Sequence, residues 1–165
     1  MKSIVLASMV LAVSASACAG ADWHRATVAK DYRPERQVNL IVTVHARGDD
    51  LDAAAEELSN AVRDGLAEEG IRATLVRGNA PAPAVRLDIV HWETGSQGLR
   101  WLGGPFGPGE GDLNVIVRVD RADGKPALQG EVRGYVRGGA FGGSSVTSAE
   151  EAGEAIAHAI ATGTL

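Results

Sequence analysis

Alternating apolar and polar positions predict five β-strands, and two longer segments have the spacing of amphipathic helices. Val38, Leu40, Val42 and Val44 fall at every second position, which is the period of a strand. From Leu51 the apolar positions recur every three to four residues, which is the period of a helix. The predicted strands cover residues 38–44, 71–76, 85–92, 113–119 and 128–136, and the predicted helices cover residues 51–66 and 149–160.

Turn and cap residues set the limits of these elements. Gly70 can adopt the left-handed conformation that ends a helix, and Asp123-Gly124 is typical of a tight hairpin turn. Ser148 and Glu151 have the spacing of a capping box at the start of the last helix. The order β-α-β-β-β-β-α predicts an α/β (α+β) fold, a two-layer sandwich with both helices on one face of the sheet. The aliphatic faces predict a core that includes Leu58, Val62, Leu87, Val115, Val117 and Ile156.

The order of elements also predicts strand directions. A helical crossover makes the first and second strands parallel. We expect the proline-containing loop at residues 78–84 to make the third strand antiparallel to the second. The glycine-rich segment 95–111 would then leave the sheet at the end where the chain enters it, opposite Asp123-Gly124.

The amino-terminal segment has the pattern of a bacterial lipoprotein signal peptide. Lys2 precedes a short apolar run that ends in small residues, directly before the chain's single cysteine, Cys18. We expect residues 1–17 to be a signal peptide, residues 18–37 a lipid anchor and flexible tether, and residues 38–165 a single domain. The predicted location is the cell envelope, at the outer membrane facing the periplasm. The alternative is an ordinary secretory signal and a soluble secreted or periplasmic protein, since Ala15-Ser16-Ala17 also suits simple cleavage.

Charge and motif content exclude several classes of function. The formal net charge of −5 argues against nucleic acid as a partner. The four histidines have no metal-ligand spacing, and the glycine-rich segments lack the residues of a Walker or dinucleotide-binding loop. Ser144 and Ser145 do not lie in a nucleophile elbow. The sequence therefore predicts no catalytic residue, no metal and no cofactor.

The layout resembles a family of small, uncharacterised bacterial lipoproteins that carry a domain of unknown function. The matching features are Cys18, the segment from Arg100 to Gly109 before an alternating strand, and the glycines from Gly138 to Gly143. More remotely, the order of elements is similar to that of envelope assembly lipoproteins such as penicillin-binding-protein activators and the curli secretion lipoprotein. The resemblance implies an envelope protein and assigns no site.

Three functions are compatible with the sequence. The first is a non-enzymatic binding or assembly module, with an apolar rim at the glycine-rich segments made by Leu99, Trp101, Leu102, Phe106 and Phe141. The rim would engage either the membrane interface or a membrane-embedded envelope protein, or would fold over the sheet as a lid. The second is a hydrolase or transferase of envelope polymers, with paired carboxylates among Asp88, Glu93, Glu110 and Asp112. The third is self-association through the sheet face opposite the helices, where the sequence places Ile41, Val76, Val90, Trp92 and Ile116. The oligomeric state is left open.

Overall fold

The computed structural model describes residues 19–48, 50–93, 111–136 and 145–165. These residues form a six-stranded sheet and two helices. In chain order the elements are β1 (Ala19–Val28), β2 (Gln37–Val44), α1 (Leu51–Glu68), β3 (Arg72–Leu75), β4 (Ala84–Glu93), β5 (Gly111–Asp120), β6 (Pro126–Val136) and α2 (Ser145–Thr162).

The sheet has the strand order β1-β6-β5-β4-β2-β3. Strand β2 is parallel to both of its neighbours, β3 and β4, while the pairs β4–β5, β5–β6 and β6–β1 are antiparallel. The apolar side chains of both helices join those of the strands in one core cluster on one side of the sheet. The predicted α+β sandwich is confirmed, with six strands instead of five.

The predicted core is also confirmed. Inward-facing side chains of β4 and β5 meet apolar side chains of both helices, because each element buries one aliphatic face. All six predicted core residues are fully shielded from solvent, namely Leu58, Val62, Leu87, Val115, Val117 and Ile156.

The ends of most elements follow the local sequence. Gly70 ends α1 with a φ of 76°, and Gly124 occupies the β5–β6 turn with a φ of 77°, so both use the left-handed region that favours glycine. Helix α2 begins at Ser145, three residues before the predicted cap. Ser148 is therefore a buried residue of the first helical turn and does not mark the start of the helix.

Glycines allow the two helices and the sheet to approach closely. A Cβ atom on Gly153 would lie 2.5 Å from the Cβ of Ala61, and one on Gly65 would lie 2.7 Å from the Cβ of Ala157. On β6, Gly134 lies directly beneath the backbone of Ser148 at the start of α2. The α1–α2 contact and the α2–β6 contact therefore both require glycine, which has no Cβ atom, at these positions.

The predicted flexible tether is wrong for residues 19–28, because they form strand β1. This strand pairs with β6 from Ala19, opposite Val136, to Val28, opposite Leu128. A bulge at Arg25, whose φ is 49°, interrupts the register between His24 and Thr27. The bulge breaks the period of two, and an edge strand needs few apolar residues, so the sequence pattern did not reveal it.

Residues 29–36, which connect β1 to β2, are also held in place. The Ala29 amide donates to the Ala127 carbonyl oxygen at 2.8 Å, and the Tyr32 hydroxyl donates to the Ile160 carbonyl oxygen at 2.6 Å. Arg121 donates two hydrogen bonds to the Asp31 carboxylate, at 2.7 and 2.8 Å. These hydrogen bonds hold the pKa of Asp31 at about 2. The connection is thus fixed to β6, to the end of α2 and to the β5–β6 turn.

The predicted antiparallel arrangement of the strands on either side of residues 78–84 is wrong as well. Strands β3 and β4 are both parallel to β2, which lies between them, so their connection is not a hairpin. This connection crosses the sheet face opposite the helices and covers Ile41 with Ala80. The Asn39 side chain donates to the Pro81 carbonyl oxygen at 2.9 Å, and Arg86 donates to that of Ala80 at 3.3 Å.

We expect Gly153→Ala to lower the free energy of unfolding, although alanine ordinarily stabilises a helix by about 1 kcal/mol relative to glycine. The added methyl group would overlap Ala61, and such overpacking typically costs about 1 to 3 kcal/mol. Urea unfolding monitored by circular dichroism measures the change. Glu154→Ala, at the adjacent exposed position, is the control and should stay within about 0.5 kcal/mol of wild type. A more stable Gly153→Ala variant would contradict the close α1–α2 contact.

We also expect Tyr32 to make the protein less stable at high pH. Burial, with a smaller contribution from Glu35, raises the pKa of Tyr32 to about 12. Below about pH 10 the hydroxyl is protonated in both the folded and the unfolded chain, so its contribution is constant. Between about pH 10 and 12 only the unfolded chain ionises, and the free energy of unfolding should fall. Urea midpoints across this range should show a smaller fall in Tyr32→Phe than in Tyr135→Phe. Equal falls in the two variants would contradict this assignment.

Candidate functional site

At one end of the sheet lie the start of β1, the end of β4, the start of β5 and the end of β6. Ala19 of β1 lies opposite Val136, the last residue of β6, and Val136 lies opposite Gly111, the first residue of β5. Glu93, the last residue of β4, pairs with Asp112 on the other side of β5. We call this the Ala19 end. The opposite end, about 30 Å away along β5, holds the β5–β6 turn and is called the Asp123 end.

The predicted strand directions are wrong, but the predicted end of the sheet for the glycine-rich segment 95–111 is correct. The sequence predicted that the glycine-rich segment 95–111 leaves the sheet where the chain enters the domain. Strand β4 runs opposite to the predicted direction, and the additional strand β1 reverses the point of entry, so the two errors cancel. The flanks of both glycine-rich segments therefore lie beside Ala19, and Asp123 lies at the opposite end as predicted.

Several predicted site residues cannot be placed on this geometry. The lipidation candidate Cys18, the carboxylate Glu110 and the five residues of the apolar rim all lie outside the described residues. The rim candidates are Leu99, Trp101, Leu102, Phe106 and Phe141. Only the residues that flank these segments are located, and they define where the segments join the sheet.

The open face of the sheet, opposite the helices, has a shallow polar depression near the Ala19 end. Arg133 of β6 binds Asp112 of β5 through two hydrogen bonds, at 3.2 and 2.5 Å. The side-chain oxygen of Asn114 is buried and has no hydrogen-bond partner within the described ranges. The depression measures about 470 Å³ and is lined by His24, Arg25, His91, Asp112, Asn114, Glu131 and Arg133.

Three of the four predicted carboxylates lie on this open face. Glu93 is directly opposite Asp112, so their Cβ atoms are within about 4.5 to 5.5 Å of each other. Asp88 lies farther along β4, opposite Ile116, and is 3.6 Å from the imidazole of His45. The carboxylate of Asp112 is engaged by Arg133, and the Glu93 side chain is 65% exposed. Thus one predicted pair is brought together on this face, where Asp112 is ion-paired with Arg133 and Glu93 lies 3.9 Å from the imidazole of His91.

The predicted apolar patch on this face is smaller than expected. Ile41 is only 4% exposed because the β3–β4 connection covers it, with Val76 packed alongside. Trp92 belongs to the main core, since a bulge between Ile89 and His91 shifts the strand by one residue and turns Trp92 inward. Val90 and Ile116 stay exposed at 38% and 46%. Two aliphatic side chains are too few for a stable apolar interface.

The outer side of the helices has a second, acidic groove that the sequence analysis did not identify. It measures about 400 Å³ and lies between α1 and α2, and its lining includes Glu57, Asp64 and Glu154. Burial, followed by the charges of Glu154 and Glu150, raises the pKa of Glu151. The spacing of acidic residues along both helices could have indicated this surface.

The described part of the chain has neither a metal-site cluster nor a helix suited to crossing a membrane. Within residues 19–48, 50–93, 111–136 and 145–165, no group of three or more His, Cys, Asp or Glu side chains has the geometry of a metal site. Neither α1 nor α2 combines the length and the apolar character needed to cross a bilayer.

The fold is similar to that of PelC from Paraburkholderia phytofirmans. A PelC variant that forms a dodecamer is 15% identical, with a TM-score of 0.55, and the alignment covers 83% of this chain and 95% of that chain. A second PelC dodecamer is 14% identical, with a TM-score of 0.53 and the same coverage. A DUF330 protein from Xanthomonas campestris is 12% identical, with a TM-score of 0.39, and covers 76% of this chain and 89% of that chain. No family model and no curated protein sequence matches the chain. At these identities the similarity concerns the fold alone.

Proposed function

We propose that the protein is a lipid-anchored, non-enzymatic binding module of the bacterial envelope, held at the membrane through Cys18. The observation that carries this proposal is the position of Ala19, the residue after Cys18, at the same end of the sheet as Glu93, Gly111 and Val136. An anchor at Cys18 would bring the flanks of both glycine-rich segments to the membrane surface. The proposed location is the outer membrane, facing the periplasm.

The pairing of β1 makes this arrangement tighter than a tethered domain would be. Ala19 is already paired with Val136, so no flexible residues separate Cys18 from the sheet. The Ala19 end would therefore stay within a few residues' length of the lipid, about 10 Å. Trp101 and Phe106 belong to the segment that follows Glu93, and aromatic side chains suit the membrane interface.

The described carboxylates support binding over catalysis. A glycosidase-type mechanism needs two carboxyl groups across a bound substrate, one of which acts as the acid. Asp112 accepts two hydrogen bonds from Arg133, and the Glu93 side chain is largely exposed and lies 3.9 Å from the His91 imidazole. Within the described residues the pair therefore has no enclosed cleft, and Asp112 is already bound to Arg133.

Lengthening the link between Cys18 and Ala19 tests the proposed function. Lipidated protein in vesicles that contain brominated phospholipid should show quenched Trp101 fluorescence, because the bromines lie in the membrane. Insertion of about 20 glycine and serine residues after Cys18 should reduce this quenching while membrane attachment persists. Trp101→Phe is the control that isolates the Trp101 signal from that of Trp23 and Trp92. Quenching that is unchanged by the insertion would contradict a rim held at the surface by the short link. Release of the wild-type protein as an unlipidated chain, with Cys18→Ser behaving identically, would reject the anchor.

Self-association is the second candidate function. The PelC structures of similar fold are dodecamers, and here β1 is an edge strand whose first half, from Ala19 to His24, has no bulge. Natural sheets usually block such edges. We expect the purified full-length chain to sediment as a species of several subunits. A monomer at all concentrations tested would contradict self-association without affecting the anchored binding role.

A further inference from the structure

Residues 29–36 have a backbone held by hydrogen bonds and carry three basic side chains that are exposed to solvent. The acidic residues of this segment contact neighbouring elements, since Asp31 binds Arg121 and Glu35 accepts a hydrogen bond from the Ala122 amide at 3.4 Å. Tyr32 is fixed by its bond to the Ile160 carbonyl oxygen and by its ring against Gly163. By contrast, Lys30, Arg33 and Arg36 are exposed.

These three cations have no ion-pair partner within the described residues, and neither does Arg72. The Arg72 amide donates to the Arg36 carbonyl oxygen at 2.9 Å, so the first residue of β3 continues the same surface. Other cations at the Asp123 end are already paired, as Arg118 is with Asp120 and Lys125 is with Asp123. Glu68, the last residue of α1, and Glu69, which follows it, have no ion-pair partner within the described residues and lie four and three residues before Arg72 along the chain.

The spacing of the free cations indicates the shape of the partner. Lys30 follows the end of β1 and Arg36 directly precedes β2, and three strands lie between β1 and β2, so the segment that carries these cations crosses about 20 Å of the sheet end. A single small anion cannot bridge such distances, whereas a linear polymer with repeated anionic groups can. Arginine is suited to carboxylates because its planar guanidinium donates two parallel hydrogen bonds, as Arg121 does to Asp31 at this end.

We propose that Lys30, Arg33, Arg36 and Arg72 form a binding surface for a linear, carboxylate-bearing polymer. The surface lies at the Asp123 end, opposite Ala19, so it does not depend on the proposed anchor. Since the backbone of residues 29–36 is already fixed, little conformational entropy is lost on binding, which favours affinity. An otherwise acidic protein would thus bind a polyanion at one confined position.

Binding of the purified full-length chain to fluorescent poly-L-glutamate tests this surface, measured by anisotropy between about 50 and 200 mM salt. The triple variant Lys30→Gln, Arg33→Gln, Arg36→Gln should bind at least about tenfold more weakly, with a salt dependence lowered by about 2 to 3 units of slope. The matched control Arg47→Gln, Arg63→Gln, Arg77→Gln removes the same charge from exposed positions elsewhere that have no ion-pair partner in the described part of the chain. An equal loss in the control would overturn the proposal, because net charge alone would then explain binding.

Two further measurements distinguish binding that requires the fixed backbone of residues 29–36 from binding that depends on charge alone. Asp31→Asn removes one negative charge from the protein and replaces the two-oxygen acceptor of Arg121 by a neutral amide with one acceptor oxygen, which loosens the segment. We therefore expect weaker binding, whereas a purely electrostatic surface would bind more tightly. Tyr32→Phe should also weaken binding at unchanged charge. Tighter binding by Asp31→Asn would overturn the role of the fixed backbone. Equal or tighter binding of polyphosphate at matched charge would overturn the assignment to carboxylates.

Discussion

The close approach of α1, α2 and β6 is the contact on which the arrangement of layers depends. Gly153 and Gly65 let the helices meet at the distance of two methyl groups, and Gly134 lets the start of α2 rest on β6. Because both helices fit side by side on one face, the aliphatic faces of the six strands share one core. A larger side chain at any of these positions would separate layers that contact one another along their length.

Within the described residues no second layer of helices or strands covers the opposite face of the sheet, and other contacts shield part of it. The β3–β4 connection covers Ile41, and ion pairs such as Arg133 with Asp112 occupy the remainder. Asp120 is only 8% exposed in its side chain and binds Arg118 and Arg86, which fixes the same connection near its end. Among the described residues of this face, the Asn114 side-chain oxygen, Val90 and Ile116 are left without such contacts.

The sequence predicts what depends on periodicity and fails where periodicity is interrupted. Both helices, the core residues such as Leu87 and Ile156, and the turn at Gly124 follow from regular spacing and from glycine conformation. A bulge in β1 hid this strand from the sequence pattern, and a bulge in β4 placed Trp92 on the face opposite to the predicted one. In each case one extra residue exchanges the two faces of the strand. The role of residues 29–36 depends on contacts with Arg121 and Ile160, about 90 and 128 residues away, which no local pattern contains.

The direct passage from Cys18 into β1 has a mechanical consequence. Hydrogen bonds between antiparallel strands are perpendicular to the strands. Tension applied at Ala19 along β1 would therefore load the β1–β6 bonds together as shear, instead of opening them one after another. If the membrane held Ala19 and a polymer pulled on residues 29–36, the load would run along the backbone of β1 itself, because that segment directly follows Val28, and only a force on the rest of the domain would load the β1–β6 bonds in shear.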